Sequence, residues 1–251
     1  MADSLGDRMK EYERSAASTL PKKLPVLLRV DGKAFHTYTK DCDRPFDQNL
    51  IEAMWETAKV LCEEIQGAQL AFVQSDEISI LIHNYKNRES EPWFGNKVQK
   101  MVSVAAGSAS GVMTKESVRI FGTTREGIFQ PRRKRACFDA RVWVLPPFEV
   151  CNYFIWRQQD WTRNSVQMLA RSLYSHKQLI GKNNPELQEL CFQKGQNWND
   201  LPTYLRRGAC IVKTDYYVDA TLRSKWFVDK SIPIFTTDRD YIDRRLEVQQ
   251  Y

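Results

Sequence analysis

Two short segments gather the residue types that phosphate chemistry needs: Arg29-Val30-Asp31-Gly32-Lys33-Ala34-Phe35-His36 and Gln74-Ser75-Asp76-Glu77. Each follows a short apolar run. Carboxylates at strand ends, joined in the first segment by a glycine and cations, are what a hard divalent metal uses to hold a triphosphate. Gly32 lets the backbone approach a phosphate or a metal closely, and Lys33 offers a point charge. Each segment alone also has a simpler reading. Asp-Gly is a turn dipeptide, and Ser75-Asp76-Glu77 is polar enough to be no more than a hairpin turn.

Chemistry therefore requires a fold that brings Asp31 to Asp76, 45 residues away in the chain. Residues 3–15 are charged, with sparse apolar positions, and read as a short amphipathic helix. Pro25 to Val30 is a first strand ending at Asp31. From Asp47 to Gln66, the residues Ile51, Met54, Ala58, Leu61, Cys62 and Ile65 recur at the helical period, with Asp47 as N-cap and Gly67 as stop. Gln69 to Val73 and Ile78 to Ile82 read as strands two and three around the Ser75-Asp76-Glu77 turn. A second helix is expected from Asn96 to Lys115, with Gly107, Ser108 and Ser110 thin enough for close packing on a sheet. Residues 119–136 read as a loop, and Cys137 to Val144 as a fourth strand stopped by Pro146-Pro147.

The order is β-α-β-β-α-β, the split βαβ pattern of a ferredoxin-like sheet, and the fold class is α+β. A right-handed crossover makes strands one and two parallel, with strand three antiparallel between them. Asp31 and Asp76 then share one sheet edge. Two carboxylates that close raise each other's pKa unless a cation lies between them, and Mg²⁺ suits oxygen ligands that meet phosphates. Residues 1–147 form the sheet region. Residues 148–251 read as a mainly helical extension to about residue 195, then loop-rich with some strand, integrated into the same domain.

The 251 residues carry 37 Lys+Arg against 31 Asp+Glu, a net +6 that fits an anionic partner without requiring one. Six cysteines stand without a C-x-x-C pair, which excludes the common zinc spacings and a compact disulfide framework. Reduced thiols are expected. No apolar stretch approaches the ~20 residues of a membrane span, and the N-terminus has no apolar core of a secretory signal. The cytoplasm is the expected compartment, with no membrane partner.

Five ordered segments carry a family resemblance: the Arg29–His36 and Gln74–Glu77 segments, then Phe138-Asp139-Ala140-Arg141, Trp156-Arg157-Gln158-Gln159-Asp160, and Leu201-Pro202-Thr203-Tyr204 leading into Arg206-Arg207-Gly208. Together they resemble the tRNA-histidine guanylyltransferase family and its bacterial and archaeal relatives, which add nucleotides to a tRNA 5′ end in the 3′-to-5′ direction. The resemblance runs from about Lys23 to Arg207. It implies a polymerase-like palm on residues 1–147, needing two or more Mg²⁺ ions. Asp31 and Asp76 would bridge the metal, with the Gly32 carbonyl as a further ligand and Glu77 assisting as a catalytic neighbour. Asp31 through His36, with Arg44, Ser75 and Asp76, would cradle the incoming nucleotide. Arg157, Asn164, Arg206 and Arg207 would hold the tRNA 5′-phosphate end. The implied partners are tRNA, GTP, ATP and other nucleoside triphosphates, and further copies of the chain in a tetramer.

Four positions read more simply as structure: Trp156 as a core aromatic, Arg141 as an ion-pair partner of Asp139, and His83 and His176 as surface or packing residues. Arg132-Arg133-Lys134-Arg135 is either an RNA-facing cluster or a solvated charge run. The chain also departs from the eukaryotic members. Thr162 replaces their histidine, Met168 replaces an asparagine, and Asn164 remains. That favours repair of truncated tRNA 5′ ends over strict tRNA(His) specificity. Two rivals lack this chemistry: a non-catalytic RNA-binding module on the same sheet, and a nucleotide-cyclase-like palm that uses no tRNA.

Overall fold

The structure is a computed structural model and describes residues 4–85, 89–122, 134–219 and 221–246. Among them, six strands form one sheet in the order β4-β1-β3-β2-β5-β6, with every adjacent pair antiparallel. They are β1 (Val26–Gly32), β2 (Ala68–Gln74), β3 (Glu77–Ile82), β4 (Phe138–Val144), β5 (Ala209–Val218) and β6 (Thr221–Asp229). The first four reproduce the ferredoxin-like order. β1 and β2 both pair with β3, so they run parallel to each other, as the crossover rule requires.

Both faces of the sheet are covered. Val26, Leu28 and Val30 of β1, with Ile78, Ile80 and Ile82 of β3, pack against α3 (Gln48–Glu64) and α4 (Val98–Phe121). The alternate residues Leu27, Leu70, Phe72 and Leu81 pack against α5 (Pro147–Leu173) and the C-terminal Ile232, Phe235 and Tyr241. Phe72, Phe154 and Phe235 are fully buried there, each contributing about 1.5–3 kcal/mol from burial. The far half of α5 packs through Val166, Leu169 and Ala170 onto Leu187 and Cys191 of α7 (Asn184–Gln193). α5 thus ties this face of the sheet to the C-terminal helices. All six cysteines are unpaired thiols. Among the described residues, no helix is long and apolar enough to cross a membrane.

Asp47 caps α3 as expected, its Oδ1 accepting from Leu50 N–H at 2.9 Å. Three expectations change. α4 continues to Phe121, into the expected loop. Its close approach to the sheet comes from Ala105 and Ala109, both fully buried, and from Ser110 as expected, whose Oγ accepts from the Phe138 N–H at 3.0 Å, while Gly107 faces outward with nothing near its Cα substituent position. After residue 195 the chain is not loop-rich: β5 and β6 form a long hairpin, and β5 joins the main sheet through Ala209–Val212 against Val73–Leu70. Beyond Val212 the hairpin pairs only with itself, so Lys213, Thr214, Asp215, Arg223, Ser224 and Lys225 are exposed and no apolar alternation marks the strands.

Candidate active site

The sheet edge at the end of β1 is where the two acidic segments meet. Asp31 lies opposite Glu77 on β3 and opposite Asp139 on β4. The Gly32 N–H donates to the Asp76 carbonyl at 3.0 Å, fastening the β2–β3 turn to the end of β1. Ser75 takes φ 47° to make that turn. Burial pushes the Asp76 carboxyl above its usual range, and the charges of Asp31 and Glu77 add to the rise. The Ser75 side chain and the local backbone partly offset it by hydrogen bonding. A half-buried carboxylate held against its own ionisation beside a second one is a site that a cation would relieve.

Among the described residues, no group of three or more carboxylate, imidazole or thiolate side chains is placed to hold a metal. The donors at the edge, two carboxylates and a glycine carbonyl, fit a hard cation that completes its shell with water and phosphate oxygens. They do not fit zinc or a softer metal.

Beside this edge opens a cleft of about 640 Å³, a size that accommodates a nucleotide. Gly32, Ala34, Phe35, His36, Arg44, Ser75 and Asp76 line it. The short helix α2 (Phe35–Tyr38) starts from Ala34 in the left-handed conformation, φ 54°. It presents exposed His36 while Phe35 is buried between Tyr38 and Phe138, with centroids at 4.8 and 5.0 Å. A Cβ on Gly32 would stand 2.3 Å from Phe35 Cδ2, so this close turn requires glycine. Lys33 is exposed at the same turn, its N–H bound to the Cys137 carbonyl at 2.8 Å. Asp47 Oδ2 also accepts from the Asp43 N–H, which fixes the loop bearing Arg44.

The cleft's opposite wall was not assigned from the sequence. It comprises Trp161, Met168 and Arg171 of α5, with Tyr204 and Leu205 of α8 (Thr203–Arg207). Tyr204 donates to Gln48 Oε1 at 3.2 Å and packs edge-on against Trp55. Tyr204 sits inside a recognised segment and Trp161 directly follows one, but Arg171 had no sequence signal beyond its charge.

The other assigned side chains lie over the α5 face of the sheet. Glu77 and Arg157 are buried against each other: Arg157 donates Nε–H to Oε1 at 2.7 Å and Nη2–H to Oε2 at 2.6 Å. Arg157 also donates to Asp160 Oδ2 at 3.2 Å, and Asn164 to the same oxygen at 3.3 Å. Arg206 donates Nε–H to the Leu201 carbonyl at 2.8 Å, with its guanidinium over Trp198. Burial and the neighbouring Arg206 lower the pKa of Arg207. Trp156 is not a core residue: it is 53% exposed, with Arg157 against its ring. Asp139 and Arg141 stand 3.7 Å apart at the surface. His83 is buried and stacked on Tyr85. His176 is exposed at the start of α6 (His176–Leu179).

The sequence profile described as Thg1, tRNAHis guanylyltransferase, matches residues 6–146, which include β1, β2, β3 and the whole acidic edge. The chain belongs to the tRNAHis guanylyltransferase family. It is a nucleotidyltransferase that adds nucleotides to tRNA 5′ ends in the 3′-to-5′ direction. A bacterial tRNA(His) guanylyltransferase (Thg1)-like protein, solved in complex with ATP, aligns at a TM-score of 0.89 and 45% identity. The match covers 98% of this chain and all of the other. A second such structure, in complex with GTP, gives 0.84 and 44% over the same shares. A probable tRNA(His) guanylyltransferase of Drosophila melanogaster is 29% identical over 85% of this chain and 74% of its own length.

Within this family frame, the substituted segment of α5 has a structural role here. The Thr162 hydroxyl donates to the Arg206 carbonyl at 3.2 Å, joining α5 to α8. Of the basic run before β4, Arg132 and Arg133 lie outside the described residues. Lys134 donates to the Tyr38 carbonyl at 3.0 Å and to Asp41 at 2.8 Å, and sits 4.0 Å from the Phe121 ring centroid. It serves packing rather than a free cationic surface, while Arg135 is exposed.

Proposed function

We propose that Asp31 and Asp76 are the carboxylates at which this transferase reacts and that the cleft beside them takes a nucleoside triphosphate. The proposed reaction is template-directed repair of tRNA 5′ ends. The observation that carries this reading is the convergence of both acidic segments at one sheet edge, opening into a cleft lined by their neighbours. Asp31, Asp76 and the Gly32 carbonyl would hold Mg²⁺, in two or more ions. When bound, it would stabilise the attacking 3′-oxygen and the charge of the departing group.

The residues of the chain account for the rest. Gly32 and Ala34 keep the backbone low enough for a triphosphate to approach, and Ser75 faces the same space from the turn. Lys33, His36 and Arg44 surround the phosphates with cationic and hydrogen-bonding groups. Phe35 supports the wall beneath. The nucleotide's 3′-oxygen forms the new bond to the terminal 5′-phosphorus of the tRNA as the bond to the activating group breaks. Activation comes from ATP or from a 5′-triphosphate already present. Arg207, with Asn164 and the exposed face of Arg206, is suited to the RNA end. The bacterial relatives solved with ATP and GTP support a nucleotide in this fold. Assembly as a homo-oligomer, a tetramer by family resemblance, and a cytoplasmic location complete the proposal.

Repair is favoured over an activity confined to tRNA(His) by Thr162, whose hydroxyl is already bound to Arg206 and cannot replace a histidine at the RNA. The test is extension of two 5′-truncated tRNAs, one of them tRNA(His), with labelled nucleotides and Mg²⁺. Comparable, template-matched addition to both is expected. Addition to tRNA(His) alone would replace repair by guanylylation, and no addition to either would overturn the reading.

A further inference from the structure

The turn that carries Asp76 is fastened to α5 by a buried ion pair made of two residues whose types suit substrate binding. Glu77 Oε1 accepts from Arg157 Nε, and from Gln74 Nε2 and Ser79 Oγ at 3.2 Å each. Oε2 accepts from Arg157 Nη2. Both side chains are 9% exposed. Three of these donors converge on Oε1 and the Arg157 guanidinium holds Oε2, so the buried carboxylate is already neutralised and turned toward α5 rather than toward a cation. The Nε–Nη2 edge of the Arg157 guanidinium is likewise engaged by Glu77 and Asp160.

The turn needs such an anchor. Ser75 is held at positive φ, Asp76 is a partly desolvated carboxylate, and Asp31 and Glu77 crowd it with like charge. A non-glycine residue at positive φ persists only where its surroundings over-determine it, and a free turn would relax. Two ties oppose that: the Gly32 hydrogen bond to the Asp76 carbonyl and the Arg157 fork on Glu77. Arg29 extends the network, lying 3.9 Å from Glu77 and 3.8 Å from Asp31. The fork spans 80 residues of sequence and connects the reacting edge to the helix whose later turns line the cleft.

We propose that Glu77 and Arg157 are positioning residues, acting as one unit that holds Asp76 beside Asp31 and touching neither metal, nucleotide nor RNA phosphate. This rests on the assignment of Asp31 and Asp76 as the reacting pair.

The test compares Glu77→Gln, Arg157→Met and the double variant in the full-length protein. Extension kinetics, Mg²⁺ half-saturation, tRNA binding against salt, and hydrogen exchange at the amides of residues 75–77 are measured. Each single substitution is expected to lower kcat by about 10- to 100-fold, the scale of a small misplacement. Nucleotide KM and tRNA affinity should stay within about threefold, any rise in Mg²⁺ half-saturation should be equal in the two variants, and exchange at the turn should quicken in both. The double variant should be no worse than the poorer single, as for residues that act as a unit. Arg157→Lys keeps the charge but not the fork and reads the same quantities if Arg157→Met does not fold. The proposal is overturned if Glu77→Gln raises the Mg²⁺ requirement and Arg157→Met does not, if Arg157→Met weakens tRNA binding and lowers its salt slope by about one, or if the two losses multiply. Exchange and binding need no turnover, so an inactive wild type would overturn the function and still leave the fork tested.

Discussion

Gly32 occupies a position where one methyl group would collide with a ring that has nowhere to go. Phe35 is held by Tyr38 and Phe138, so Gly32→Ala must displace α2 or the end of β1. Destabilisation of about 1–3 kcal/mol is expected, read by denaturant melts, with a raised nucleotide KM because Ala34 and His36 move with the helix. Asp76 gives a second residue-scale prediction. Its native pKa is raised above the ordinary 3.8, first by burial, so the folded state binds its proton more tightly than the unfolded chain does. Its contribution to stability is complete below the ordinary value and is lost as pH rises through the raised one. Melts of metal-free protein across that window should show the loss, and Asp76→Asn should flatten it. Mg²⁺ should also flatten it, because a bound cation favours the ionised form.

At the scale of elements, the sequence was legible where local signals agreed. The helical period and the Asp47 cap located α3, and short apolar runs with a polar turn located β2 and β3. The crossover rule then converted their order into the meeting of Asp31 and Asp76. The β5–β6 hairpin was not legible because Lys213 to Lys225 lies beyond the covered sheet, and among its described side chains there is no buried face to impose alternation. Trp156 was misread because one aromatic on a helix carries no mark of which face it occupies. The pairing of Glu77 with Arg157 was equally invisible, since either residue type fits a phosphate site and only tertiary packing joins them. Asp47 shows how an element serves the site. Its two oxygens cap α3 and hold the Arg44 loop at once. Asp47→Ala should cost about 0.5–2 kcal/mol of stability and raise the nucleotide KM more than it lowers kcat.

For the whole molecule, a net charge of +6 is modest for a partner as large as tRNA, and Lys134 of the expected basic surface is engaged internally. Binding should therefore rest on few phosphate contacts. Its log affinity should fall with log salt at a slope of about −0.9 per contact on duplex RNA, using the duplex-DNA value. Arg207→Ala should reduce that slope by about one without altering which tRNA is chosen. The central claim concerns the edge itself, where the sheet sets two carboxylates against each other beside a nucleotide-sized cleft. The most direct measurement is Mg²⁺-dependent extension of a 5′-truncated tRNA by wild type, Asp31→Asn and Asp76→Asn, with tRNA binding measured in parallel. Wild type should lengthen the tRNA at its 5′ end. Each variant should lose at least about a thousandfold in rate, about 4 kcal/mol of barrier, while binding tRNA within a few-fold. A folded variant that extends at the wild-type rate, or a folded wild type that extends no tRNA, would contradict the account.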